Sequence, residues 1–313
     1  MTSVLITGGA GFVGSCLADR LLQNEDMHVV VVDNLSTGDK SFVNASPRYT
    51  FIAADANNSL DMAAIFGRFR FDYVFHYAAV VGVQRTLANP SLVLQDIDGF
   101  KNILDLSKNT AVKRVFFSSS SEVYGESVEY PQNEVTTPLN SRLPYAIVKN
   151  VGEAFFQSYK TEFDLDFTIF RFFNTYGPRQ SMDFVMSKFI RAALAGENIT
   201  IYGDGSQTRT FCYVQDNVDA CYNALVENKF INDVVNIGAA DETSILDLAE
   251  KVISACNSSS RIIHLPALKE GDMQRRKPDT SRMQSLLNRT PTSLTEGMSL
   301  VIESAIKTEP HVD

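Results

Sequence analysis

Short runs of apolar residues recur along the first two thirds of the chain, each followed by a turn and then by a segment with helical spacing. The runs occupy residues 4–6, 29–32, 50–53, 73–76, 115–117 and 167–171, and several are apolar on consecutive positions rather than on alternate ones. A strand covered on both faces reads this way, and strands alternating with helices predict a parallel sheet with crossover helices. Leu17, Leu21 and Leu22 fall at helical intervals between the first two runs. Further on, Thr243 or Ser244 can cap a helix carrying Ile245, Leu248, Ala249 and Val252 on one stripe, with Asp247 in the capping-box position. Strand signals thin out in this later part. No internal repeat, long polar linker or charge block beyond Arg275-Arg276-Lys277 divides the chain. The pattern predicts an α/β, doubly wound parallel sheet with a smaller, interleaved C-terminal domain. Residues 1–173 are expected to form the first domain, a segment near 211–240 returning to it, and residues 174–313 mainly the second.

A length of 313 residues agrees with roughly two domains, and 44% hydrophobic with 21% charged residues is the composition of an ordinary globular protein. The net charge of −9, from 28 basic and 37 acidic residues, argues against nucleic acid or an acidic membrane surface as partner. Any anionic ligand then needs local arginines. Cys16, Cys212, Cys221 and Cys256 form no C-x-x-C pair, and His28, His76, His264 and His311 are dispersed, so no metal site is expected. The first apolar run breaks at Thr7-Gly8-Gly9, and no stretch reaches the roughly 20 apolar residues that span a bilayer, so a cytoplasmic location is expected.

The chemistry starts at Thr7-Gly8-Gly9-Ala10-Gly11-Phe12-Val13-Gly14, with glycines at 8, 11 and 14 after a strand and before an amphipathic helix. The turn must be tight, the backbone must approach a pyrophosphate, and the helix must pack on the sheet with its N-terminal amides toward the phosphates. Asp33 follows Gly14 by 19 residues at the end of the second run, where a carboxylate accepts from both ribose hydroxyls. The same carboxylate repels a 2′-phosphate, so NAD is preferred to NADP. Asp55, ending the third run, either faces the adenine or is an exposed loop acid.

The four serines 118–121 sit at the end of the apolar strand at 114–117, where ligands bind in an open α/β sheet. Tyr145, 25 residues beyond Ser120, stands four before Lys149. On a helix both side chains share one face; the ammonium is expected to favour the phenolate, and the positive nicotinamide ring of an oxidised cofactor to lower the tyrosine pKa further toward working pH.

With these motifs in view, the sequence resembles the extended short-chain dehydrogenase/reductase family, in particular its nucleotide-sugar epimerase branch, over nearly its whole length. Further likeness lies in His76-Tyr77-Ala78-Ala79, in Arg171-Phe172-Phe173-Asn174-Thr175-Tyr176-Gly177-Pro178-Arg179, and in the segment from Tyr202 to Phe211. The resemblance implies a Rossmann-like fold with Tyr145 as base, Ser120 as proton relay, and Lys149 holding the nicotinamide ribose. It implies Asn174 and Arg209 on the diphosphate, Phe173 near the nicotinamide and Tyr202 near the uracil. Arg179 is a second candidate clamp for a diphosphate. Cofactor contacts are expected from Gly8, Gly11, Phe12, Val13, Gly14, Asp33, Asn34, Asp55, Ala56, Ala78, Tyr145, Lys149 and Phe173. Substrate contacts are expected from Ser120, Asn174, Arg179, Val185, Thr200, Tyr202, Arg209 and Arg276. Where the family commonly has Asn in an Asn-x-x-Gly segment, this chain has Asp96-Ile97-Asp98-Gly99. Apolar positions near 97–107 and 145–157 either complete the core or form an intermolecular helix bundle, and the likeness implies a homodimer.

The resemblance also implies oxidation at C4 of a nucleotide sugar, a step common to the family, whose members differ in the fate of the resulting ketone. Inversion at C4 of a UDP-sugar is the first expectation, because Ala78-Ala79-Val80-Val81-Gly82-Val83-Gln84-Arg85-Thr86 resembles epimerases. The alternative is UDP-glucuronate decarboxylation. Decarboxylases carry the Ser-Glu-Val-Tyr-Gly pattern found at 121–125 and pair its Glu with an Arg in an Arg-Lys-Pro segment, here Glu122 and Arg276. A 4,6-dehydratase ranks lower, since Ser121 stands where its acid belongs, and a non-enzymatic NAD sensor ranks last. Arg276 either meets a sugar carboxylate or swings outward to Asp272 or Asp279.

Overall fold

The computed structural model describes residues 1–267 and 273–308. Strands β1 (Thr2–Thr7), β2 (Met27–Asp33), β3 (Tyr49–Ala53), β4 (Tyr73–His76), β5 (Arg114–Ser120), β6 (Phe167–Phe172) and β7 (Asp233–Ile237) form one parallel sheet, in the order β7-β6-β5-β4-β1-β2-β3. The order reverses between β1 and β4, so a crevice opens beyond the carboxyl ends of these two strands. The longer helices are α1 (Phe12–Leu22), α2 (Ser59–Arg68), α3 (Asp96–Asn109), α4 (Pro144–Phe163), α5 (Val185–Leu194), α6 (Val214–Val226), α7 (Ile245–Ala255) and α8 (Leu294–Thr308).

Strand side chains alternate between faces, and both faces are covered. Val4, Ile6, Val29 and Val31 pack with Leu17 and Leu21 of α1 and Val218 of α6. Leu5, Val30, Val32 and Val74 pack with Ile65 and Phe66 of α2, Phe100 and Ile103 of α3, and Val148 and Phe156 of α4. These side chains are nearly or fully excluded from solvent, each contributing on the order of 1.5–3 kcal/mol of transfer free energy. The apolar positions of α3 and α4 therefore go largely to the core, while Ile147 stays exposed. Pro144 sits in the first turn of α4, where its missing N–H costs nothing, and Asp164 closes the helix in a left-handed conformation.

After β6 the chain enters a second lobe, returns to add α6 and β7 to the first, and leaves again. The second lobe has its own core of Tyr176, Phe189, Ile190, Ile199, Ile201, Phe211, Leu248, Val252 and Met298. Its strands are short and paired in twos, such as Thr208–Thr210 with Glu242–Ser244. Ser244 caps α7, its hydroxyl accepting from the Asp247 N–H at 3.0 Å, and the Asp247 carboxylate pairs with Lys251. No helix among the described residues is long and apolar enough to cross a membrane.

Candidate active site

A cavity of about 1930 Å³ runs from the glycine turn, past the ends of β4, β5 and β6, to α5 and the edge strand Ile199–Tyr202. That exceeds the roughly 300–1,000 Å³ of a drug-sized site and is ample for a dinucleotide beside a nucleotide sugar.

At one end, Gly8 has a φ of +71°, and a Cβ there would lie 2.6 Å from the Ala78 nitrogen. A Cβ on Gly14 would meet the Gly8 carbonyl at 2.3 Å, so the α1 start can approach the turn this closely only without side chains. Asp33 ends β2, and its carboxylate accepts from the Ala10 N–H at 3.0 Å and the Leu35 N–H at 2.8 Å. These two bonds fix the carboxylate while leaving lone pairs for the cavity. Asn34 donates to Asp55 at 3.1 Å, and both line the wall with Phe12, Val13, Ala56 and Ala78. An acceptor facing a side-chain-free phosphate cradle fits an adenosine dinucleotide.

The centre is built by β5 and α4. Lys149 Nζ is fully buried and donates to the Ser118 carbonyl at 2.6 Å. It lies 5.9 Å from the centre of the Tyr145 ring, one turn earlier on the same helix face. Tyr145 and Ser120 both line the cavity, and the Ser120 hydroxyl accepts from the Glu122 N–H at 3.2 Å. The chain then tightens into a single 3-10 turn, Ser121–Tyr124, which turns the Glu122 carboxylate into the cavity. There it meets Arg276 at 2.6 Å, with the two side chains only 12% and 7% exposed. Asp279 does not take this guanidinium, its carboxylate accepting instead from Asn133 and the Ser281 N–H, and Asp272 lies outside the described residues. Arg276 Nε, Glu122 Oε2 and Asn174 Nδ2 are all buried, belong to residues lining this cavity, and have no hydrogen-bond partner among the described residues. Buried polar atoms left open along one cavity mark where a polar ligand completes the site.

At the far end, Val185, Thr200, Tyr202 and Arg209 line the wall. Two expected positions need correction. Phe173 is fully buried, packs with Val123 and Tyr124, and does not line the cavity; Phe172, one residue earlier, does. Strand alternation explains the exchange, since Arg171 and Phe173 point inward together and Phe172 points the other way. Arg179 lines the cavity but is drawn to the first lobe, 2.9 Å from Asp19 and 3.1 Å from the Ser15 hydroxyl, with Phe42 under its guanidinium. Its charge stands at the glycine-turn end rather than beside Arg209. Lys188 and Gln207, which the motifs do not single out, also line the cavity. The i+3 spacing from Val185 to Lys188 is the sequence signal that points to the first of them.

A family model described as the NAD dependent epimerase/dehydratase family matches residues 4–238. The chain belongs to that family. It is 35% identical over 311 residues to UDP-glucuronic acid decarboxylase 3 of Arabidopsis thaliana, covering 96% of this chain and 88% of the relative. A UDP-glucose 4-epimerase with UDP-glucose, from Thermotoga maritima, superposes with a TM-score of 0.92 at 33% identity, covering 98% of this chain and 99% of that one. A UDP-glucuronic acid 4-epimerase variant from Bacillus cereus, in complex with NAD and a fluorinated UDP-glucuronic acid, superposes with a TM-score of 0.90 at 28% identity, covering 98% and 99%. This member of the NAD-dependent epimerase/dehydratase family is accordingly an NAD-dependent enzyme acting on nucleotide sugars.

Burial dominates the electrostatics of the centre. It pushes the Tyr145 phenol well above its usual value; the Ser120 hydroxyl opposes the rise and the Glu122 charge adds to it. The expectation that Lys149 holds this phenol low is therefore not met by the protein alone. Burial lowers Lys149 to about 8, offset by the charges of Asp96 and Glu153. Asp96 is itself buried, accepts from the Val80 N–H at 3.0 Å, and is raised by its burial. His76, at the end of β4, is held neutral, burial pushing it down to about 3 while Nδ1 meets the Thr7 hydroxyl at 2.8 Å.

Proposed function

We propose that this chain decarboxylates UDP-glucuronate, oxidising C4 and losing the C6 carboxylate before C4 is reduced again. The observation that carries this reading is the buried Glu122–Arg276 pair beside Tyr145, which moves decarboxylation ahead of the epimerisation expected first. Glu122 already balances the Arg276 charge, and of the two sugar classes only a uronate adds a carboxylate to accept the Nε–H that has no partner among the described residues.

When bound, NAD⁺ supplies a hydride acceptor at C4 and a positive charge that favours the phenolate. Tyr145 takes the 4-hydroxyl proton, with Ser120 passing or sharing it, and Lys149 braces the helix face from which Tyr145 projects. The C4 ketone is β to the C6 carboxylate, so the C5–C6 bond breaks with its electron pair entering the carbonyl, and carbon dioxide leaves. The hydroxyls of Tyr145 and Ser120 donate to the oxygen on which negative charge then develops. C5 takes up a proton from solvent, so UDP-glucuronate and one proton give a UDP-pentose and carbon dioxide.

Glu122 makes the pairing productive. An arginine free to give its whole charge to the carboxylate stabilises the ground state and loses that interaction as neutral carbon dioxide forms. An arginine already shared with Glu122 holds the carboxylate less tightly, narrowing that loss. Retention of the carboxylate with inversion at C4 is the second reading, favoured by the epimerase-like loop at 78–86 and by the likeness to 4-epimerases.

The test is Arg276→Leu. Its affinity for UDP-glucuronate is expected to fall about tenfold or more, with binding of UDP-glucose and of UDP unchanged. Equal losses for all three ligands overturn the carboxylate contact.

A further inference from the structure

Behind the Glu122–Arg276 pair lies a buried chain of hydrogen bonds that none of the proposed chemistry uses. Arg171 is paired with Glu153, 2.7 Å between Nη2 and Oε2, and its Nη1 donates to the Tyr124 hydroxyl at 2.8 Å. A guanidinium only donates, so the Tyr124 proton must go onward, and it meets Asn236 Oδ1 at 2.8 Å. That contact orients the Asn236 amide, leaving Nδ2 to donate to the Gln132 carbonyl at 2.9 Å. Gln132 in turn grips the segment that carries Arg276: its N–H donates to the Lys277 carbonyl at 2.7 Å, and its carbonyl accepts from the Asp279 N–H at 2.8 Å. On the other flank the Thr208 N–H donates to the Gln274 carbonyl at 3.0 Å. Tyr124 closes the 3-10 turn that presents Glu122. Asn236 and Gln132 are wholly buried, and the Asn236 N–H is taken by Glu134 at 2.8 Å.

Asn236 is thus a joint. One end of its amide holds the turn bearing Glu122, and the other holds the strap bearing Arg276, residues 154 apart in sequence. We infer that Asn236 and Tyr124 are positioning residues that keep Glu122 and Arg276 in register for an acidic sugar; the inference rests on the pair's role proposed above. The direction of every bond along the chain is forced, so only an amide at 236 serves both neighbours. A carboxylate accepts from Tyr124 but has nothing to donate to Gln132, and an apolar side chain does neither.

The experiment uses Tyr124→Phe, which removes one hydroxyl and preserves shape, with Asn236→Asp as a second probe that keeps the Tyr124 bond and breaks the Gln132 bond. Each is measured alone and in the Arg276→Leu background, for kcat/KM with UDP-glucuronate, affinity for UDP, and NAD content. Each single variant is expected to lose about tenfold in kcat/KM with UDP affinity and NAD content unchanged, and to lose nothing further once Arg276 is gone. Equal losses in both backgrounds, parallel losses of UDP or NAD, or no loss at all overturn the inference. If Arg276→Leu alone leaves UDP-glucuronate untouched, the reading of the pair fails first, and the two failures are told apart.

Discussion

Tyr145 and Lys149 are legible as a pair from their spacing, but the environment that sets their protonation is not. Their segment shows itself as helical only by its pattern, and nothing in it says that Lys149 is enclosed and Tyr145 half-buried. In the protein by itself burial raises the phenol, so the lowering expected at this site falls to the charge of an oxidised nicotinamide. His76 shows the same effect in a form that can be measured. Its imidazole falls from 6.5 to about 3 on folding, so the unfolded chain binds the proton first as pH falls. Stability contributed by neutral His76 is present above about pH 6.5 and is lost as pH drops toward 3. The full shift corresponds to roughly 5 kcal/mol. Denaturant titrations across this range should show a steep pH slope in the wild type and a shallower one in His76→Gln; identical slopes contradict the burial account.

At the scale of elements, six of the seven sheet strands announce themselves because parallel strands buried on both faces are nearly continuous apolar runs. The seventh, β7, is hidden by Asn236, a polar residue buried near its end for the hydrogen bonds it makes. The two-residue to four-residue strands of the second lobe carry no periodicity, since their partners lie far away in sequence. Phe173 departs from expectation because a strand assigns faces by parity, and a shift of one residue exchanges cavity for core. The turn from β1 to α1 and the end of β2 behave differently, as their glycines and Asp33 are fixed by backbone needs that sequence spacing exposes. Asp33→Ala should weaken NAD and narrow its advantage over NADP, read by competition of the two cofactors for the apoprotein. Unchanged relative affinity removes Asp33 from ribose recognition.

Across the whole molecule, candidate catalytic groups from β5 and α4 of the first lobe meet Arg276 from the segment between α7 and α8. Such convergence has no local signature. Glu122 and Arg276 are each visible as motif positions, but their contact depends on how the chain leaves and re-enters the sheet domain. The proposed decarboxylation rests on that contact, because the two proposed branches share the oxidation at C4 and part only over the fate of the carboxylate. The most direct measurement is therefore incubation of the purified NAD-loaded protein with UDP-glucuronate labelled at C6, following the label and the NADH absorbance together, with Tyr145→Phe as the inactive control. The account predicts that the label leaves as carbon dioxide, a UDP-pentose accumulates, and no net NADH builds up; label retained in a uronate inverted at C4 contradicts it.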